Sequence, residues 1–260
     1  MLLAIDIGNT NITLGLWQNE KWAIHWRART VRDKMPDEYA VLLRSFLDEA
    51  DLGYRAISGV AISSVVPTLT RAFTELVRRY MDIEPLVVDH RTPIGIRIDI
   101  DEPQQAGPDR IVNAAAVHKL YGGPAIVIDF GTATTFDVVS ANGAYCGGAI
   151  APGIGIAHDA LVEHAARLHA IDLSPPPSAI GRNTIHAMQS GIFWGYVALV
   201  EGLTQRLAKE VGAEKVKIIA TGGLASLFDQ HTDIIDLIAP ELTLDGLRII
   251  YEMNNQKAES

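Results

Sequence analysis

One stretch of this sequence occurs twice, half a chain apart, and it limits the folds open to everything else. Aligned on Asp6 and Asp129, AIDIGNTNIT (4–13) lies over VIDFGTATTF (127–136), with Gly8 on Gly131 and Asn9 on Thr132. In each copy an apolar run ends in Asp-x-Gly, a turn of small polar residues follows, and a second apolar run leaves it. That is the pattern of a strand, a tight turn and a strand. Asp129 lies 123 positions after Asp6 in a chain of 260, which predicts two related halves with a cleft between them. A third glycine turn, IIATGGL (218–224), again follows an apolar strand. A tip of this kind turns backbone N–H groups and hydroxyls toward an anion, and an aspartate beside it can hold a cation. The pattern suggests a phosphate-handling loop.

A length of 260 residues suits one large domain or two ordinary ones, and 48% hydrophobic with 20% charged residues provides ample core. No apolar run reaches the ~18–20 residues of a membrane helix, and MLLAID runs into a strand without a basic leader. No membrane association is expected. Cys146 is the single cysteine, which excludes an internal disulfide, fits a reducing cytoplasm and reads as a packing residue. The formal charge of −9 argues against a nucleic-acid partner, which needs a basic stripe, yet leaves room for a locally electropositive anion loop.

After the first hairpin, Lys21–Arg29 alternates as a third strand, and Asp37–Ala50 carries apolar residues at helical spacing. A strand over Ala56–Val66, a helix over Thr68–Met81 and a short strand over Leu86–Asp89 follow, so strands alternate with helices as in a mixed, helix-covered sheet. Beyond the alternating stretch Ile94–Asp101 comes a helix over Ile111–Tyr121, stopped by Gly122-Gly123-Pro124. The second half opens with strands over Ala125–Asp129 and Phe136–Ser140, then a glycine-rich stretch (143–155), a helix over Ile156–Ala170 and a rigid surface loop at Ser174–Ser178. A long helix spans Asn183–Val211 with Asn183 as its N-cap, and Gly191 and Gly195 on it would admit a closely packed helix or partner subunit. The last eight residues, from Met253, read as a frayed end.

Three aspartates stand where strands or loops meet turns or helices: Asp6, Asp109 and Asp129. Phosphoryl transfer needs a phosphate cradle, a metal to neutralise charge and a base near the acceptor hydroxyl. Asp6 with the Gly8–Thr13 turn suits the first two, and Thr132, Thr134 and Thr135 could add hydroxyls from the second turn. No Gly-x-x-x-x-Gly-Lys-Ser/Thr motif is present. Each aspartate alone has an ordinary explanation, Asp6 and Asp129 capping their own turns and Asp109 serving as a helix N-cap or first-turn acid. Gly107-Pro108-Asp109-Arg110 puts a turn, an acid and a guanidinium together, which suits a base for a hydroxyl beside a site for a carboxylate; an ordinary exposed ion pair has the same order. His158, His164 and His169 are spaced by six and five residues, so one helix does not stack them into a metal site, and no Ser-His-Asp or Cys-His arrangement can be built.

DIGNTN (6–11), GPDR (107–110), DFGTATTFD (129–137), GGAIAPG (147–153), GRNT (181–184), AMQSG (187–191) and TGGLA (221–225), in this order, resemble the motifs of type III pantothenate kinase across essentially the whole chain. The resemblance implies an α/β fold of duplicated ribonuclease-H-like halves, of the acetate and sugar kinase/Hsc70/actin type, with mixed sheets flanked by helices. The halves are placed at 1–115, carrying the ATP phosphate loop, and 116–260, carrying cation and substrate elements. It implies a cytoplasmic homodimer, its pocket at the interface, that phosphorylates pantothenate with ATP as the first step of coenzyme A synthesis. Mg²⁺ would enter with ATP, alongside a monovalent cation, K⁺ or NH₄⁺. By the resemblance, Asp6, Ile7, Gly8, Asn9, Thr10, Asn11, Ile12 and Thr13 form the ATP loop, with Asp6 at the Mg²⁺ and Thr132 a further nucleotide contact. Asp129 holds the monovalent cation. Gly107, Pro108, Asp109 and Arg110 bind pantothenate, Asp109 as the base and Arg110 for the carboxylate, with Thr184 completing the pocket. Two positions depart from the family pattern: Ile100 stands where many members carry a substrate-contacting Tyr, and Pro108 where Ala is commoner. A small-sugar kinase on the same fold and a non-catalytic accessory or regulatory protein are the rival readings.

Overall fold

The computed structural model describes residues 1–256. Its contacts divide it into two compact units, Met1–Tyr121 with the segment that begins at Glu241, and Gly122–Pro240. The sequence expectation placed the division at 115/116 and gave the C-terminal segment to the second half.

The first unit opens on an antiparallel meander, β1 (Leu2–Ile7), β2 (Asn11–Gln18) and β3 (Lys21–Arg29). Helix α1 (Pro36–Glu49), strand β4 (Gly59–Ser64), helix α2 (Pro67–Met81), strand β5 (Leu86–Val87) and helix α3 (Pro108–Tyr121) follow. The sheet runs β3-β2-β1-β4-β5, with β4 parallel to β1 and β5 parallel to β4. The second unit repeats this with β6 (Ala125–Phe130), β7 (Ala133–Val139) and β8 (Tyr145–Pro152) as its meander. Helix α4 (Ile154–His164), helix α5 (Thr184–Gln189), a π-helical turn (Ser190–Trp194) and helix α6 (Gly195–Val211) lead to β9 (Lys217–Thr221), helix α7 (Ala225–Asp229) and β10 (Leu237–Ile238). The order β8-β7-β6-β9-β10, again with two parallel strands after the meander, matches the first sheet element for element. The duplication expected from the two hairpins is present in the topology. Helix α8 (Leu242–Gln256) closes the chain.

The register refines the alignment of the hairpins. Asp6 pairs with Thr13 across β1–β2, and Asp129 pairs with Thr135 across β6–β7. The second turn is therefore one residue shorter, and Thr135, not Phe136, is the counterpart of Thr13.

Several boundaries moved. The glycine-rich stretch (143–155) contains β8, a strand in which Gly148 is required because a Cβ there would overlap the Phe136 carbonyl. The helix expected to reach Ala170 stops at His164, so His169 is not on it. Pro176 of the proline loop is buried rather than wholly superficial. Cys146 is exposed, so it is not a packing residue. Met253–Gln256 extend α8, where Asn254 Nδ2 donates to Pro93 O at 2.8 Å; 257–260 lie outside the described residues.

Alternation along the central strands decides which helices lie on which face. In the first unit Leu3, Ile5, Ile7, Val60 and Ile62 point into one core with Leu43 of α1 and Leu69, Phe73 and Leu76 of α2. Each such side chain, fully buried, contributes about 1.5–3 kcal/mol. The opposite face carries small residues, Ala4, Gly15, Gly59 and Ala61, and they let α8 come close. A Cβ on Gly15 would stand 2.9 Å from Leu244 Cδ1, and one on Gly59 would overlap the Tyr251 hydroxyl. Trp22 Nε1 donates to Asp245 Oδ1 at 2.9 Å, and the Arg248 guanidinium lies 4.5 Å from the Trp17 ring centroid. Gly59→Ala is expected to destabilise by about 1–3 kcal/mol through overpacking against α8, read as a lower denaturation midpoint with unchanged slope.

Candidate active site

The first turn is built by β1 running into β2. Asp6 is half-buried at the end of β1, while Asn9, Thr10 and Asn11 are exposed. Ile7 and Ile12 are fully buried in the core, so only their main chain can meet a ligand. The Gly8 N–H donates to Asn11 O at 2.9 Å, closing the turn. The residues after β3 strap it from the side. Thr30 N donates to Thr10 O at 2.9 Å, Thr30 Oγ1 to Gly8 O at 2.7 Å, and Arg32 Nη2 to Asn9 Oδ1 at 2.9 Å. On a chain of net charge −9 the strap therefore brings a guanidinium to the first turn.

The second turn has the same construction. Gly131 N donates to Ala133 O at 3.1 Å, and Gly153, the residue after β8, donates to Thr132 O at 3.1 Å, as Thr30 does to Thr10. Thr132 is exposed, whereas Thr134 is buried with its hydroxyl bonded to the Tyr196 phenol, whose pKa burial pushes up to about 12. Thr135 Oγ1 donates to Asp137 Oδ2 at 3.0 Å, and Asp137 also accepts from the Tyr145 hydroxyl at 3.2 Å. Thr134 and Thr135 are thus taken up internally, and Thr132 is the exposed hydroxyl of the three. Gly222, directly after β9, has φ +90°; a Cβ on it would sit 2.6 Å from Asp129 Oδ1 and 2.7 Å from the Phe130 backbone. The third glycine turn is thereby pressed against the second aspartate.

Helix α3 starts three residues earlier than its apolar pattern, at Pro108, a residue suited to the first helical position. Asp109 and Arg110 fall in its first turn, as the first-turn reading of Asp109 required. Asp109 Oδ1 accepts the Arg110 N–H at 2.9 Å, and a Cβ on Gly107 would stand 2.5 Å from the same oxygen, so a side chain there would push the carboxylate aside. Burial raises the Asp109 pKa, and it outweighs the lowering by the Arg110 N–H and guanidinium.

Thr184 opens α5 behind Asn183, whose Oδ1 accepts the His186 N–H at 2.8 Å as the expected N-cap. Thr184 lines a groove of about 420 Å³ with Leu161, Met188, Gly191 and Ile192. His158 is spent structurally: its Nδ1 lies 2.8 Å from Asp159 Oδ1 and its Nε2 accepts the Ile171 N–H at 3.1 Å.

The sequence profile of type III pantothenate kinase matches residues 2–206. The type III pantothenate kinase of Roseiflexus sp. (strain RS-1) is 54% identical over 254 residues, covering 98% of this chain and 99% of that protein. The chain belongs to the type III pantothenate kinase family. Its activity is the family's, phosphorylation of pantothenate in coenzyme A synthesis. Solved structures agree on the fold. One from Campylobacter jejuni, assigned to the Baf family of transcriptional activators, superposes with TM-score 0.63 at 20% identity over 98% of this chain and 99% of that one. The inorganic polyphosphate/ATP-glucomannokinase of Arthrobacter sp. strain KM gives 0.52 at 16% identity over 98% of each. The kinase thus has the two-part acetate and sugar kinase/Hsc70/actin fold.

Among the described residues no group of three or more His, Cys, Asp or Glu could hold a metal alone. Mg²⁺ that enters with ATP is commonly held by one or two carboxylates together with substrate phosphates and water. Beside Asp129, Gly222 brings its backbone so close to the carboxylate that a Cβ would stand 2.6 Å from Oδ1. Thr30 and Arg32 carried no sequence signal, because a strap depends on which residue follows a third strand, whereas Gly153 and Gly222 lay inside motifs without a role of their own. Among the described residues no helix is long and apolar enough to cross a membrane.

Proposed function

We propose that the kinase transfers the γ-phosphoryl group of ATP to the primary hydroxyl of pantothenate with Asp109 as general base. The observation that carries this is the Asp109 carboxylate itself: half-buried, folded over Gly107 in the first turn of α3, beside Arg110, with its basicity raised by burial. Asp109 takes the hydroxyl proton as that oxygen bonds to the γ-phosphorus, and the bond to the β–γ bridging oxygen breaks to release ADP. Gly107, Pro108, Arg110 and Thr184 hold pantothenate, with Arg110 on its carboxylate. The turn Asp6–Thr13 and Thr132 take the ATP phosphates. Asp6 holds the Mg²⁺ that accompanies ATP, and Asp129 holds the monovalent cation; both ions supply positive charge that offsets the phosphates.

Ile150, Ile156, Leu161, Ile180 and Ile185 of the second unit are exposed, and a homodimer with a second copy on that unit would cover apolar side chains of this kind. A cytoplasmic location suits an ATP-dependent enzyme with one exposed thiol.

ADP release with MgATP and potassium is the test. Release that requires pantothenate, and that falls when sodium replaces potassium, is the expected result. Release with sugar acceptors instead, or none with any acceptor, would turn the reading to the sugar-kinase or the regulatory alternative.

A further inference from the structure

Ser63 lies beside Asp6 on the parallel strand β4, its Cα in register with that of Asp6. Residues paired in this way project to the same face of the sheet. Ser63 is fully buried, and its Oγ has no hydrogen-bond partner among the described residues. A buried hydroxyl without a partner costs the fold stability. An alanine would fill the same place in a face already lined by Ala4 and Ala61. The hydroxyl therefore calls for an explanation other than packing.

The second unit points to one. Asp129 has Thr221 at the equivalent place, in register on the parallel strand β9 and 2% exposed. In both units a hydroxyl residue thus flanks the turn aspartate on its parallel side, as Thr13 and Thr135 do on the antiparallel side. Nothing in a parallel ladder requires this, because backbone pairing is indifferent to side-chain hydroxyls. The common factor is the aspartate.

We propose that Ser63 is a positioning residue for the Asp6 carboxylate, its O–H donating to that carboxylate when Asp6 engages the Mg²⁺ that accompanies ATP. This rests on the reading of Asp6 given above. It assigns Ser63 no contact with substrate; its effect passes through Asp6. A fixed donor on one carboxylate oxygen orients the other toward the ion, as partners behind metal ligands commonly do.

Calorimetric titration of ATP, with and without Mg²⁺, tests this alongside thermal melts. Ser63→Ala is expected to melt at or above the parent temperature, to bind Mg²⁺-free ATP as the parent does, and to bind MgATP about tenfold more weakly. Ser63→Thr, which installs the residue the second unit uses, is expected to keep most of the Mg²⁺ response. Asp6→Asn should abolish that response, and adding Ser63→Ala to it should change nothing further. If Asp6→Asn loses the response while Ser63→Ala binds MgATP like the parent, the role of Ser63 is refuted and the reading of Asp6 stands. If Asp6→Asn keeps the full response, the reading of Asp6 fails and the role of Ser63 with it. An equal loss from Ser63→Ala in the presence and absence of Asp6 overturns action through that carboxylate.

Discussion

Asp109→Asn is expected to lose about 10²–10⁴-fold in kcat while melting at or above the parent temperature at neutral pH. The two effects share one cause. Burial raises the Asp109 pKa above its value in the unfolded chain, with the Arg110 contacts opposing and losing. Between the unfolded and the folded value the native state then binds more protons than the unfolded state, so stability falls as pH rises through that window. Above it the ionised carboxylate is a standing cost to the fold, and the asparagine amide removes it. The gain should shrink as pH falls through the same window and vanish below the ordinary carboxylate range, where both states are protonated. A general base must be ionised to act, so kcat/KM of the parent should climb with pH along an acid limb displaced above the ordinary carboxylate range. A variant that keeps more than a tenth of the turnover would show that another group takes the proton. One that loses turnover but unfolds at neutral pH would show that Asp109 is held by contacts stronger than its burial cost.

What the sequence disclosed and what it withheld divide along a physical line. Elements set by local rules were readable. The hairpin at Asp6 follows from apolar alternation around a Gly-Asn-Thr-Asn turn, and α5 begins at Asn183 because its side chain caps its own helix. Even Asp109 in the first turn of α3 follows from Pro108 before it. Contacts made by chain segments far apart were not. Ser63 is 57 residues from Asp6, and only the parallel pairing of β4 with β1 sets them side by side. Strand β8 was hidden in the glycine-rich stretch, where Gly147 has φ +85° and Gly148 is forced by the Phe136 carbonyl. The equivalence of Thr13 with Thr135 rests on a turn shortened by one residue, which a gapless alignment cannot register.

Gly222→Ala should be damaging beyond what an exposed glycine turn would suggest. At φ +90° an L side chain costs about 1–3 kcal/mol, and the added Cβ would also stand 2.6 Å from Asp129 Oδ1 and 2.7 Å from the Phe130 backbone. Phe130 cannot yield without disturbing its pairing with Thr134 of β7, so the strain adds to the steric term. A fall of roughly 5–10 °C in the melting temperature is expected for a domain of this size. The carboxylate is the more mobile of the two obstacles, and its displacement should reach the monovalent cation: turnover of whatever folded Gly222→Ala remains at low temperature should respond weakly to potassium. Two comparisons separate the causes. Asp129→Asn removes the charge without adding a Cβ and should lose the potassium response at near-parental stability. Gly155→Ala lies inside α4 with nothing within 4 Å of its Cβ, so it should be neutral to stabilising by up to about 1 kcal/mol and leave the potassium response intact. A Gly222→Ala protein that melts like the parent would mean that the turn relaxes away from Asp129. One that melts low but keeps the full potassium response would place the cation elsewhere than on that carboxylate.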